Sequence, residues 1–396
     1  MKILAVNAGS SSLKFQLYEM PEEKVLISGV FERIGIDNSF YTIKLNGEKI
    51  RHEVDLANHS VAVGFLTKEL LENNIVESLD EIKGVGHRTV QGADKISDSV
   101  VINEYVEDII EKYKTLAPLH NPASLVGIKA FKEFMPNAVH VGVFDTAFHQ
   151  TMPEEAYTYA VPYEWKENYA VRKYGMHGTS HKYVSRRINE ILGRTDTKVI
   201  ICHLGNGGSL SAVVNGKCID TSMGLTPNAG IVMGSRCGDI DASIIPYIME
   251  VTGMDIKEVD RILNKESGLL GISGVSSDSR DVEAAANEGN KRAILAQNVY
   301  VRRVVEYIAK YYVLMGGADA ICFTAGLGEN SIATRKNIIE RLAVLGIKLD
   351  EEANNVRGEE RLITSKDSKV PCYVIPTNEE VMIARDTYEL VNKNNA

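Results

Sequence analysis

The sequence predicts an α/β fold of two domains, each opened by the same kind of hairpin, and three observations lead there. The chain has 396 residues, and domains usually run to ~100–200. The apolar run Ile3-Leu4-Ala5-Val6, a small-residue turn and a second run through Leu17 are matched by Val199-Ile200-Ile201-Cys202, a glycine-rich turn and Leu210 to Val214. Such internal matching is the mark of a duplicated architecture. Thirdly, segments rich in Gly, Ser and Asn follow apolar runs at Asn7–Ser12, Gly205–Ser209 and Gly326–Asn330.

The elements follow in chain order. Residues 3–6 read as a buried strand, and Leu13, Phe15 and Leu17 alternate with Ser12, Lys14 and Gln16 at the period of a second strand. Asn121-Pro122 reads as an N-cap and first helical position, for a helix running to about Phe134. Val139–Phe144 is a buried strand that delivers Asp145 at its end. Thr179 or Ser180 caps a helix that stops at Leu192, before Gly193. Residues 199–214 repeat the opening hairpin, with Ser209-Leu210 in the place of Ser12-Leu13. Amphipathic patterns fill Asp281 to Leu314, and Ala318–Thr324 is a further buried strand.

Composition narrows the function. The formal net charge of -9 disfavours nucleic acid and anionic membrane as partners. An anionic substrate would then need a local cluster of Arg and Lys. The start of the chain lacks the ~7–15-residue apolar run of a secretory signal, and no stretch reaches the ~18 apolar residues of a membrane helix, so a cytoplasmic location is expected. The five cysteines form no C-x-x-C pair, which points away from zinc and disulfides.

The three small-residue segments let backbone N–H groups converge on an anion. One alone is no more than a turn; three in one chain point to phosphate. Lys14 follows the first and could meet a phosphate as a point charge. Neither G-x-x-x-x-G-K-[ST] nor G-x-G-x-x-G is present. Arg88 and Arg236 sit in glycine-rich or polar settings, suited either to forked capture of a carboxylate or phosphate or to a surface ion pair. His177 and His181 stand four apart, but Gly178 replaces the Glu of a zinc-protease helix, so His177 reads instead as a group at a helix mouth. Asp145 and Glu379 follow apolar runs, where an acid holds Mg²⁺ or caps a helix.

Together, Asn7-Ala8-Gly9-Ser10-Ser11-Ser12-Leu13-Lys14, His177-Gly178-Thr179-Ser180-His181, His203-Leu204-Gly205-Asn206-Gly207 and Gly326-Leu327-Gly328-Glu329-Asn330 resemble the acetate kinases, in order and over nearly the whole chain. The resemblance implies two duplicated actin-like (ribonuclease H-like) ATPase domains around a nucleotide cleft. The first would span residues 1–146, completed by a C-terminal helix over 380–396, and the second residues 147–379. It implies ATP and ADP as substrates, Mg²⁺ (or Mn²⁺) held by Asn7 and Glu379, and a homodimer. Lys14, His203 to Gly207, Asp278, Ser279, Arg280 and Gly326 to Asn330 would bind nucleotide. Arg88 would bind the acceptor carboxylate, with Val90, Leu119, Met176 and Pro227 lining its methyl pocket. Asp145, His177 and Arg236 would be catalytic.

The family commonly has Phe where Met176 stands, and residues 226–241 depart from its usual pattern, so propionate stands beside acetate as an acceptor. A kinase for a hydroxyl acceptor such as a sugar, and a nucleotide-gated protein of the Hsp70 or actin type, are the remaining alternatives.

Overall fold

The structure is a computed structural model that describes residues 1–118 and 120–394. Its contacts divide the chain into one unit of residues 1–150 and 378–396 and another of residues 151–377. Leu119 lies outside the described residues.

The first unit holds an eight-stranded sheet. Its strands are β1 Lys2–Ala8, β2 Ser12–Glu19, β3 Lys24–Glu32, β4 Phe40–Leu45, β5 Glu48–Glu53, β6 Ile82–Thr89, β7 Val100–Val101 and β8 Val139–Phe144. They lie in the order β5-β4-β3-β2-β1-β6-β8-β7. The β1–β2 pair is antiparallel, as the alternation of Leu13, Phe15 and Leu17 predicts, while β1, β6 and β8 run parallel. The second unit holds β9 Lys198–Leu204, β10 Gly208–Val214, β11 Lys217–Thr221, β12 Ala320–Thr324, β13 Arg361–Leu362 and β14 Cys372–Val374, in the order β11-β10-β9-β12-β14-β13. Here β9–β10 is antiparallel and β9, β12 and β14 run parallel. The two share a plan, in which an antiparallel meander, of five strands in the first unit and three in the second, is continued by two parallel strands. The central parallel strands are buried along their middles, with Ile3 to Val6, Val199 to Cys202 and Ala320 to Phe323 at most 2% exposed, as strands covered on both faces must be.

This plan positions the chemistry. Asn7 ends β1, Arg88 lies near the end of β6 opposite Val143, and Asp145 follows β8. Three parallel neighbours thus deliver three polar groups at their C-terminal ends, where open α/β sheets bind ligands. The helix Glu379–Asn394 covers the same strands. It lies so close to β6 that a Cβ on Gly86 would come within 2.2 Å of Thr387 Oγ1, and one on Gly84 within 2.7 Å of Thr387 Cγ2. Glycine is required at both positions, and the fit carries Glu379, in the helix's first turn, to Arg88.

Three local expectations are corrected. The helix Asn121–Phe134 starts after His120, and the Asn121 side chain does not cap it. It bonds Gln91 N, Gln91 O and Ile110 O instead, tying a loop and a second helix to this one. The helix ending at Leu192 starts at Gly178, with His177 as its left-handed N-cap, so Thr179 and Ser180 lie inside it. The amphipathic patterns of residues 281–314 form helices as expected, Ser279–Asn287 and Lys291–Leu314, parted at Gly289, whose φ of +88° no helix accommodates. Ala325–Asn330 is a short helix rather than an open loop. Gly193, with φ 66°, ends its helix as expected. No helix among the described residues is long and apolar enough to cross a membrane, and no disulfide joins the cysteines.

Beneath Arg88, His87 and His140 form a buried pair. His140 Nε2 must donate to Met135 O at 3.1 Å, since a carbonyl only accepts, so its Nδ1 accepts from His87 Nε2–H at 3.0 Å. Both rings are neutral in this arrangement. Burial is the main cause that lowers both pKa values from the ordinary 6.5. The unfolded chain therefore takes up protons first as pH falls. Stability contributed by the pair is complete above about pH 6.5 and declines below it. The thermal midpoint should drop between pH 7.5 and pH 5.5, and His87→Gln, which keeps a donor but cannot titrate, should lessen that drop. Equal drops in parent and variant would remove the pair as the cause.

Candidate active site

In the first unit, polar groups gather around Arg88. Its Nε and Nη2 form a fork on Asp145, at 3.2 Å from Oδ1 and 2.5 Å from Oδ2, and its Nη1 lies 3.4 Å from Asn7 Oδ1. Glu379 Oε2 stands 3.6 Å from Nε. Asp145 is 1% exposed, so this is a buried, forked ion pair. Burial works against the Arg88 charge, but Asp145 and Glu379 outweigh it and hold the guanidinium above its ordinary value. Burial raises the Glu379 carboxyl to about 7; Arg88 pulls it down, while Asp145 and Glu380 push it up. Lys14, on β2 and half-exposed, pairs with Glu380. Val90 continues from β6 and is buried.

A guanidinium has five N–H groups. Asp145 and Asn7 engage three of them. One remains on each terminal nitrogen.

In the second unit, the N-terminal turn of the helix Gly178–Leu192 faces the β9–β10 hairpin. His177 has φ 60°, a left-handed conformation uncommon outside glycine and found at functional sites. Its ring stacks on His203 of β9, with centroids 4.1 Å apart and planes at 22°. His203 Nδ1 meets Ser180 Oγ at 2.8 Å, and Ser180 Oγ meets Thr377 Oγ1 at 2.8 Å. A Cβ on Gly207 would lie 3.3 Å from Arg236 Nη1 and 3.5 Å from His177 Nε2. Gly207, Arg236 and His177 therefore border one small space.

Arg236 differs from Arg88 in having no counter-charge among the described residues. Its side-chain partners are Pro227 O at 3.3 Å and Met233 Sδ at 3.8 Å, and among the described residues it pairs with no carboxylate. Burial lowers its pKa. A partly desolvated cation without a partner is costly, and an anion entering the space before Gly207 would relieve that cost. Met176 is buried and Pro227 half-buried.

Beside this lies a cavity of about 500 Å³, within the range of small-ligand sites. Gly205, Asn206, Asp278, Ser279, Arg280, Gly326, Leu327 and Asn330 line it, all of them expected at a nucleotide site. Asp278 caps the helix Ser279–Asn287 and pairs with exposed Arg280. Other residues expected there turn elsewhere. Leu204 is buried in the core, Gly328 O accepts from Arg335, and Glu329 Oε1 accepts from Ala325 N and Thr377 N at 2.8 and 3.0 Å. Arg357 and Gly234 also line the cavity and were not expected from the sequence. Arg357 carries no glycine-rich context to mark it. The Gly234 signal is steric: a Cβ there would come 1.9 Å from Asn206 Oδ1.

The Acetokinase family model matches residues 2–385. The acetate kinase of Bacillus cytotoxicus is 56% identical over 393 residues, covering 99% of each chain. Among solved structures, Porphyromonas gingivalis acetate kinase is similar at a TM-score of 0.93 and 44% identity, covering 98% of this chain and 99% of that one. A propionate kinase from Francisella tularensis is similar at 0.92 and 44%, with the same coverage.

The unpaired Arg236 makes a prediction that needs no turnover. Inorganic phosphate should raise the thermal midpoint of the parent, because it binds the folded state alone. Arg236→Met keeps the apolar stem and removes the charge, so most of that shift should vanish. An undiminished shift would place the anion elsewhere.

Proposed function

The chain belongs to the acetokinase family, and from that premise we propose that it transfers the γ-phosphoryl group of ATP reversibly to acetate, giving acetyl phosphate and ADP. The observation that carries this reading is Arg236: a half-buried cation without a carboxylate partner, bordering a glycine turn and the His177 ring.

An acetate carboxyl, with a pKa near ~4, is ionised at neutral pH, so the nucleophile needs no base. Catalysis then consists of positioning and of neutralising charge spread over the transferring phosphoryl oxygens. The open fork of Arg88 takes the acceptor carboxylate. Asp145 holds that guanidinium in place. Arg236 and His177 donate to the phosphoryl oxygens, and the cavity lined by Asn206, Ser279 and Leu327 takes the nucleoside. Lys14 supplies a further positive charge to the nucleotide. Of the residues expected at the acetate methyl group, Val90 and Met176 are buried and apolar. Met176 brings an adaptable chain rather than a rigid ring, and one added methylene is worth only ~1–3 kcal/mol of discrimination. Propionate is therefore the second acceptor.

Asn7 and Glu379 would hold Mg²⁺, with Asp145 close by. An amide oxygen and carboxylates, buried in Asp145 and half-buried in Glu379, are the hard oxygen donors this ion takes alongside substrate phosphates. The raised Glu379 pKa fits as well, because a neighbouring cation favours its charged form. When bound, the ion neutralises phosphate charge as a Lewis acid.

The helix Ile244–Thr252 reads IIPYIMEVT and buries none of its residues. Ile244, Tyr247 and Val251 are exposed upon it. Such a face is the mark of an association surface, and a second copy of the chain covers it in a homodimer. Five cysteines without a disulfide suit a reducing cytoplasm.

Acyl phosphates react with hydroxylamine to give coloured hydroxamates. With ATP and Mg²⁺, acetate should give the most hydroxamate, propionate clearly less, and glycerol none. Absence of hydroxamate from every short carboxylate would overturn the assignment, and a preference for propionate would move it to that acid. For Glu379→Gln, the Mg²⁺ concentration at half-maximal rate should rise by at least roughly tenfold. A titration that overlays the parent's would remove Glu379 from the metal site.

A further inference from the structure

Behind His177 runs a buried line of hydrogen bonds. His177 Nδ1 lies 2.9 Å from Ser209 Oγ, Ser209 Oγ lies 2.8 Å from His181 Nε2, and His181 Nδ1 lies 2.7 Å from Ser211 Oγ. Ser209, Ser211 and His181 are fully buried. The spacing explains why these rungs meet. His177 and His181 stand four apart, one turn or ~6 Å along a helix. Ser209 and Ser211 stand two apart on β10, on one face and ~6.6 Å apart.

Each hydroxyl has one proton, and each neutral imidazole has one N–H. Three bonds in a row therefore allow two consistent directions. In one, Ser211 O–H donates to His181 Nδ1, His181 Nε2–H to Ser209 Oγ, and Ser209 O–H to His177 Nδ1. The remaining proton then sits on His177 Nε2. In the other, every bond reverses, His177 Nε2 presents a lone pair, and the Ser211 proton is left over.

Two observations choose between them. The Ser211 hydroxyl has His181 as its one partner among the described residues, so the reversed direction leaves a buried O–H without an acceptor. His177 Nε2 borders the same space as Arg236, where a lone pair would repel an anion and an N–H would bind it. We infer that Ser209, backed by His181 and Ser211, is a positioning residue that locks His177 as the neutral tautomer with its proton on Nε2. His177 then acts as a preorganised hydrogen-bond donor to the transferring phosphoryl group, without having to be protonated. The inference deepens the phosphotransfer reading and rests on it for its kinetic consequence.

The test has a spectroscopic and a kinetic arm. Nitrogen–proton correlation spectra of protein with isotope-labelled histidine distinguish a protonated ring nitrogen from a lone pair, and His177→Gln assigns the signal. In the resting parent, His177 should show a protonated Nε2 and a bare Nδ1. Ser209→Ala should mix the tautomers and lower kcat roughly tenfold or more, short of the ~10²–10³-fold cost of deleting such a donor itself, with KM values little changed. Ser209→Thr, which restores the hydroxyl, should recover the single tautomer and most of the rate. A proton on Nδ1 of His177 in the parent overturns the inference, whatever the variants do. So does a parent-like kcat in folded Ser209→Ala. A parent with the expected tautomer but no acyl phosphate formation would instead overturn the proposed reaction and leave the tautomer standing.

Discussion

The first unit depends on one ion pair, Arg88 with Asp145. The carboxylate is 1% exposed and forked onto the guanidinium at 3.2 and 2.5 Å. Removing either partner of such a pair strands a buried charge, at a typical cost of ~3–5 kcal/mol. The surrounding structure holds the pair in register. Strands β6 and β8 set Arg88 opposite Val143, two residues before Asp145. Asn7 arrives on β1 from the other side. Gly84 and Gly86 let the helix Glu379–Asn394 lie close enough to bring a second carboxylate to the same guanidinium.

The two arginines divide the electrostatic work. Arg88 is over-supplied with acid and keeps its charge securely. Arg236 is under-supplied, and burial disfavours its charge until an anion arrives. The first arrangement gives fixed geometry, and the second gives an interaction that strengthens as negative charge gathers before it.

Much of this was legible in the sequence where the signal is local. The alternation of Leu13, Phe15 and Leu17, the apolar run before Asp145 and the stop at Gly193 each record a backbone preference in a few neighbouring residues. The duplicated hairpin was legible for the same reason, and the strand orders extend it to five strands in each unit. The misplaced features depend on distant partners. Asn121 has the composition of a cap, but Gln91 and Ile110 claim its side chain. Thr179 and Ser180 are good capping residues, yet the helix begins earlier because His177 adopts φ 60° and stacks on His203. The pairing of Glu379 with Arg88, the place of Arg357 beside Asn330 and the match of two histidines to two serines are all questions of register between elements far apart in the chain.

The discontinuity of the first unit bears on how the protein is made. Residues 1–150 are translated before the second unit, but the helix that covers Gly84 and Gly86 is translated only after it. Until then the β6 surface that it buries stays open to water and to other chains. The second unit carries no such debt, since residues 151–377 form a continuous stretch. Vectorial synthesis therefore allows the later-made unit to finish folding before the earlier one, and leaves the first unit waiting, in the nascent chain, for the helix Glu379–Asn394.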